Sequence, residues 1–232
     1  MINDIHFPST KDLNMSGTSP IEVRDMAIVH KTFRRAFEES AQLVRANPTP
    51  SAQRVTFLAD HIDFVIGVLH HHHASEDLLL YPLLAERAKD QLAMVDEVGH
   101  QHVEVNGAID AVTQTCTAWR TAPSAETGKA LATALDDLNT VLQPHLDDEE
   151  QKVVPLAAVT LTQAEWLAMG EHAQEGIPKK MMPVAFGLLL EPLNDTDKAY
   201  MKSHLPTPVR LLFPLLIQRP WNKYAQELRH GT

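Results

Sequence analysis

Two segments of the chain, His72 to Pro82 and His145 to Pro155, superimpose without a gap. Each reads His-x-x-x-Glu, then a second acid, then a proline six residues after the glutamate. The spacing points to helices. On an α-helix residues i and i+4 share one face, with Cβ atoms roughly 6 Å apart, so an imidazole and a carboxylate in this register can converge on one point. Both pairs also lie on apolar stripes: Val65, Leu69, Leu79 and Leu83 flank His72 and Glu76, while Leu138, Leu142, Val153 and Leu156 flank His145 and Glu149. Burying such pairs uncompensated costs on the order of several kcal/mol. A bound cation removes the penalty.

The rest of the pattern supplies the frame. Ser19-Pro20-Ile21-Glu22 combines an N-cap, a proline at the first helical position and a glutamate at N3, predicting a first helix that starts here and stops at Asn47-Pro48-Thr49-Pro50. A second helix is expected from about Ser51 to Leu83, with Pro82 tightening or ending it, and a third from Gln91 to Thr121. A fourth fits Ser124 to about Val154, with a kink expected at Pro144. No strand pattern competes. The expected fold is all-α, an up-down-up-down four-helix bundle over 19–160, preceded by a flexible leader at 1–18. Prolines cut 161–232 into short helices expected to pack on the bundle, since Leu188 to Leu190 and Leu211 to Ile217 are too apolar for water.

The first and third helices each offer one histidine on the apolar stripe. His30 is in phase with Val23, Met26, Phe33 and Phe37, and His102 stands at the same offsets from Val95, Val98, Val105 and Ile109. The chain therefore repeats as His, then His-x-x-x-Glu. Four imidazoles and two carboxylates with two-fold pseudo-symmetry suit two cations bridged by the carboxylates. If each glutamate bridges, the six residues fill eight of roughly twelve octahedral positions, and a bridging oxide or hydroxide fills two more. Open positions are what an exogenous ligand needs.

Charge and composition exclude other classes. Twenty Lys+Arg against thirty Asp+Glu give a formal charge of −10, unsuited to a nucleic acid or an anionic membrane as partner. No stretch reaches the ~20 apolar residues of a membrane span. The solitary Cys116 and the absence of a secretory pattern at Met1 to Asp4 lead to the expectation of a cytoplasmic protein.

At roughly residues 20–158 the sequence resembles the hemerythrin-like, HHE cation-binding family, with His72 to Pro82 its most specific segment. The resemblance implies a four-helix hemerythrin bundle, two non-heme irons, and His30, His72, Glu76, His102, His145 and Glu149 as their ligands. It also implies binding or reduction of a small ligand such as dioxygen, peroxide or nitric oxide. As an enzyme, the chain would be a diiron oxidoreductase consuming peroxide or nitric oxide. The alternative is an oxygen or iron sensor, or a metal-binding interaction bundle without turnover. The sequence departs from the oxygen carriers at Asn106, where a further histidine would stand four residues after His102, and in offering Glu150 at i+5 beside Glu149 at i+4. Both departures argue against reversible oxygen carriage.

Four more residues are candidates for additional ligation or for hydrogen bonds to the ligands: His73, Tyr81, His100 and Glu150. Within His70 to His73, about 100° of turn per residue lets one or two side chains reach the core, and phase favours His72. His100 is two residues from His102 and so roughly 200° away around the axis, on a face with Asp96 and Glu104 that suits solvent. Leu69, Leu79 and Phe33 are expected to line a dry pocket at the site; His6, His61, His172, His204 and His230 are expected at the surface. A ferritin-like carboxylate bundle needs two Glu-x-x-His motifs, and only Glu97-x-x-His100 has that spacing. The same imidazoles and carboxylates could ligate zinc, but thiolates are lacking and two bridged ions favour iron.

Overall fold

The computed structural model describes residues 20–48 and 50–231. The expectations for the leader, Ser19 and His6 lie outside the described residues. Every regular element among those described is helical, and the described residues form an all-α helical bundle. Its frame is α1 (Arg24–Arg45), α2 (Ala52–Leu79), α4 (Leu92–Thr121) and α5 (Ala125–Asp148), with a short α3 (Tyr81–Arg87) after α2. These helices bury one continuous core that includes Phe33, Phe37, Leu58, Leu69, Trp119 and Leu135. Neighbours run in opposite directions: Arg34 meets Asp147 while Arg45 meets Asp136, and His102 meets Asp77 while Arg120 meets Asp60.

The helix ends follow from backbone satisfaction. Ser51 accepts from the Arg54 amide at the start of α2, and Ser124 and Thr127 form a reciprocal box at the start of α5. The first helix starts later than expected, at Arg24. The amides of Ile21 and Glu22 donate instead to the Ala158 carbonyl and Gln163 Oε1, each at 2.9 Å, tying this segment to the end of the bundle. Pro144 leaves α5 helical; the departure comes later, in a π turn over Glu149–Val153, followed by α6 (Val154–Thr160). The first copy of the motif breaks at the equivalent place, Leu80, before α3. In both, a proline without an amide hydrogen sits within the next helix's first turn, where no intrahelical donor is required.

Beyond residue 160 come α7 (Gln163–Glu175), α8 (Met182–Leu190), α9 (Asp195–Ser203), α10 (Thr207–Leu211), a π turn at Pro214–Gln218 and α11 (Arg219–His230). The Thr162–Glu165 capping box read from the sequence starts α7. This region covers the first half of the bundle: α7 packs on α2 and α8 on α1. Arg54 on α2 donates to the Glu227 and Leu228 carbonyls, both at 2.6 Å, and Arg229 pairs with Glu39 of α1. The expectation that Leu211 to Ile217 is buried as a block is corrected. Phe213 and Ile217, one turn apart, face inward, while Leu211, Leu212 and Leu215 are exposed. No helix among the described residues is long and apolar enough to cross a membrane.

Candidate metal centre

The six residues singled out by the repeat, spread over α1, α2, α4 and the end of α5, come together in the interior. His30, His72, Glu76, His102, His145 and Glu149 are all buried. His72 Nε2 lies 3.3 Å from Glu76 Oε1 and 3.3 Å from His30 Nε2; His30 Nε2 lies 3.4 Å from Glu149 Oε2. His145 Nε2 is 3.5 Å from Glu149 Oε2, and His102 Nε2 is 3.7 Å from both Glu76 Oε2 and Glu149 Oε1. Ligand atoms of His30, His72, Glu76 and Glu149 all lie within 4.8 Å of one another, as do those of His73, His102 and His145. Two donor groups therefore stand side by side, with the two glutamates between facing imidazoles.

His73 joins the cluster. Its ring stacks on His102 with centroids 4.3 Å apart and meets His145 edge-on at 5.0 Å. The departure noted at Asn106 thus has a counterpart: a fifth imidazole comes from α2 rather than from a second position on α4. His100, by contrast, is exposed and donates from Nδ1 to the Asp96 carbonyl at 2.6 Å, so it does not belong to the site. Glu150 is partly exposed and stays outside the cluster, between His30 Nδ1 at 3.0 Å and Arg34 Nη2 at 3.1 Å. Tyr81 donates its hydroxyl to Glu149 Oε1 at 2.8 Å.

The outer nitrogens of three imidazoles are held. His30 Nδ1 meets Glu150, His102 Nδ1 meets Asp77 Oδ1 at 2.7 Å, and His145 Nδ1 meets Gln101 Oε1 at 3.1 Å. Such partners accept a hydrogen bond from Nδ1–H, which leaves the Nε2 lone pair facing inward. The inner atoms lack hydrogen-bond partners: both nitrogens of His73, both oxygens of Glu76, Nε2 of His102 and of His145, and Glu149 Oε2. Buried polar atoms are ordinarily paired, and a cluster of orphans with nitrogen and oxygen lone pairs facing one point has the chemistry of a cation site.

The electrostatics favour the neutral form at three imidazoles, whereas at His102 burial is outweighed by the Glu149 and Asp77 carboxylates, which raise the pKa. Burial, with neighbouring imidazoles, pushes His72 down to about 3 and His145 to about 4, and pushes His73 well below the ordinary imidazole range. Neutral imidazole is the metal-binding form. Burial and the facing Glu149 carboxylate drive Glu76 well above the usual carboxylate range. Burial would also lift Glu149, but the imidazoles of His102, His145, His30 and His72 hold it well below that range. Burial and the same two glutamates keep the Tyr81 phenol protonated, as a donor.

Sequence reasoning missed the roles of Asp77, Gln101 and Arg34. The second acid of the motif carried a signal: Asp77 in the first copy and Glu150 in the second each hold the lone stripe histidine of a neighbouring helix. Gln101 and Arg34 left none. Among histidines expected at the surface, His61 is corrected: it is buried, with Nδ1 2.9 Å from the Tyr224 hydroxyl. His172 is half-buried against Ser75 Oγ at 2.8 Å, and His204 is half-buried too; His230 is exposed.

A buried His/Glu cluster inside a helical bundle defines a metal-binding domain. The chain belongs to the hemerythrin HHE cation binding domain family, whose model matches residues 22–157. No curated protein and no solved structure matches it.

Proposed function

We propose that the chain is a non-heme diiron protein that binds or reduces a small diatomic or peroxide ligand at an open iron position. The observation that supports this most is the set of orphaned donor atoms in two adjoining groups. In this reading His30, His72, Glu76 and Glu149 would hold one iron and His73, His102 and His145 the other, with coordination positions left for an exogenous ligand.

Reduced iron would supply electrons to a bound dioxygen, peroxide or nitric oxide molecule. The chain's own residues do the rest. Asp77, Glu150 and Gln101 fix three imidazoles from behind, and the Tyr81 hydroxyl fixes Glu149. The core of the bundle keeps bulk water away.

Elemental analysis and an optical spectrum of the purified protein test the reading, followed by addition of peroxide and of nitric oxide. Two irons per chain and consumption of either ligand support it. Reversible spectral change without consumption supports binding without turnover, the form a sensor would take. A stably helical protein without stoichiometric metal overturns both.

A further inference from the structure

A cavity of about 190 Å³ lies between the bundle and the later helices, walled by Phe33, Val65 and His72 on one side and Met169, Phe186 and Leu189 on the other. Of the residues expected to line a dry pocket at the site, Phe33 lines this cavity, while Leu69 and Leu79 do not. Fourteen of its twenty-five lining residues lie beyond residue 157, outside the family match. A dry engineered cavity of roughly 150 Å³ holds a benzene molecule. The space here is of one-ring size or slightly more.

The lining specifies the ligand further. Among the described residues no lysine or arginine contributes to it, so a carboxylate or phosphate would enter without a counter-charge. The polar groups on the wall are mostly engaged within the protein. Asp25 accepts from Trp166 Nε1 at 2.9 Å, Thr32 donates to the Ile28 carbonyl, Ser75 is bonded to His172, and Gln174 donates to the Gly170 carbonyl. The exception is Glu171, whose Oε1 is buried and unpartnered. Met26, Met169, Met182 and Met201 supply flexible, polarisable surface that adapts to ring-shaped partners.

We infer that this cavity binds a neutral molecule of about one aromatic ring, carrying a single hydroxyl or N–H that donates to Glu171. His72 lines both this cavity and the cation cluster, so the bound ring lies within reach of the candidate centre. The inference concerns the cavity itself and does not require the diiron reading.

Calorimetric titration of the full chain, metal-free and metal-replete, with phenol, toluene and benzoate tests it. Phenol is expected to bind at least tenfold more tightly than benzoate, with toluene between them. Gly170 lines the cavity, and a Cβ built there meets nothing within 4 Å, so Gly170→Leu should fill the space. Val68→Phe fills it from the bundle side, should the first variant not fold. At least tenfold weaker phenol binding in a helical, folded filled variant supports the site. No phenol or toluene binding to the unaltered chain up to their solubility overturns it, as does unchanged affinity in a folded filled variant. Metal-free protein gives this answer by itself; a shift of the iron spectrum on adding phenol would then report contact through His72.

Discussion

The two halves of the bundle carry one motif in two settings. In the first half, α1 and α2 contribute His30, His72 and Glu76; in the second, α4 and the end of α5 contribute His102, His145 and Glu149. The second acids keep the symmetry, Asp77 holding His102 and Glu150 holding His30. Two positions break it. Where the first half has His73 the second has Leu146, and where the first has Tyr81 the second has Val154. His73 faces the second half's imidazoles, so one donor group holds three imidazoles while the other holds two with both glutamates. Tyr81 hydrogen-bonds Glu149, and Glu76 has no equivalent donor. A repeated sequence thus yields an unsymmetrical donor cluster, with three imidazoles in one group and two imidazoles and two carboxylates in the other.

The largest effects should come from the donors. His72→Ala and His145→Ala are each expected to remove most of the bound iron, measured by elemental analysis, while His71→Ala leaves it intact. His73→Leu tests the asymmetry directly, because it installs the second half's residue in the first. Bound iron should fall from two towards one per chain; two retained irons with an unchanged spectrum would remove His73 from the centre.

Next come the groups behind the imidazoles. Partners of this kind are typically worth about 10- to 100-fold in metal affinity. Asp77→Asn and Glu150→Gln should weaken iron binding by about that factor, in competition with a chelator. The halves predict similar losses. A large loss in one and none in the other would mean that the second acids are not equivalent.

The repeat is legible in the sequence because it depends on local spacing: i and i+4 share a face whatever surrounds the helix. The bundle and six convergent side chains follow from phase alone. His73 stays undecided in sequence because adjacent residues both lie near the edge of a stripe, and which neighbour a ring meets depends on how α2 and α4 cross. Gln101 lies beside a stripe residue and belongs to no period. His61 escapes a sequence reading because the helix that buries it, α11, lies more than 150 residues away and no local pattern announces its docking. The late start of α1 has the same origin, since the acceptors for Ile21 and Glu22 come from α6 and α7.

The cover on the first half gives a smaller test of the same contrast. Gly187 on α8 lies so close to Trp221 that a Cβ would stand 2.3 Å from its ring carbon Cγ. Overpacking of this kind costs about 1–3 kcal/mol. Gly187→Ala should lower thermal stability by about that amount while iron content stays unchanged. Loss of iron together with stability would mean that the cover holds the centre in place.

His61 marks the contact between that cover and α2, and its counterpart in the second half is Ala134. Burial, with Arg229 and Arg54 nearby and Glu39 opposing them, lowers its pKa to about 4. Between that value and its ordinary one near 6.5, the unfolded chain binds a proton that the folded chain refuses. Stability from this group is therefore full above about pH 6.5 and declines as pH falls towards 4, with a slope of at most ~1.4 kcal/mol per pH unit. At about pH 6 the loss is below ~1 kcal/mol, and at about pH 5 it reaches about 2 kcal/mol. His61→Met removes the titration together with the Tyr224 hydrogen bond. Urea midpoints at about pH 5 and about pH 7, on either side of the ordinary imidazole value, should differ less in the variant than in the unaltered chain. An equal difference would show that the acid sensitivity comes from elsewhere.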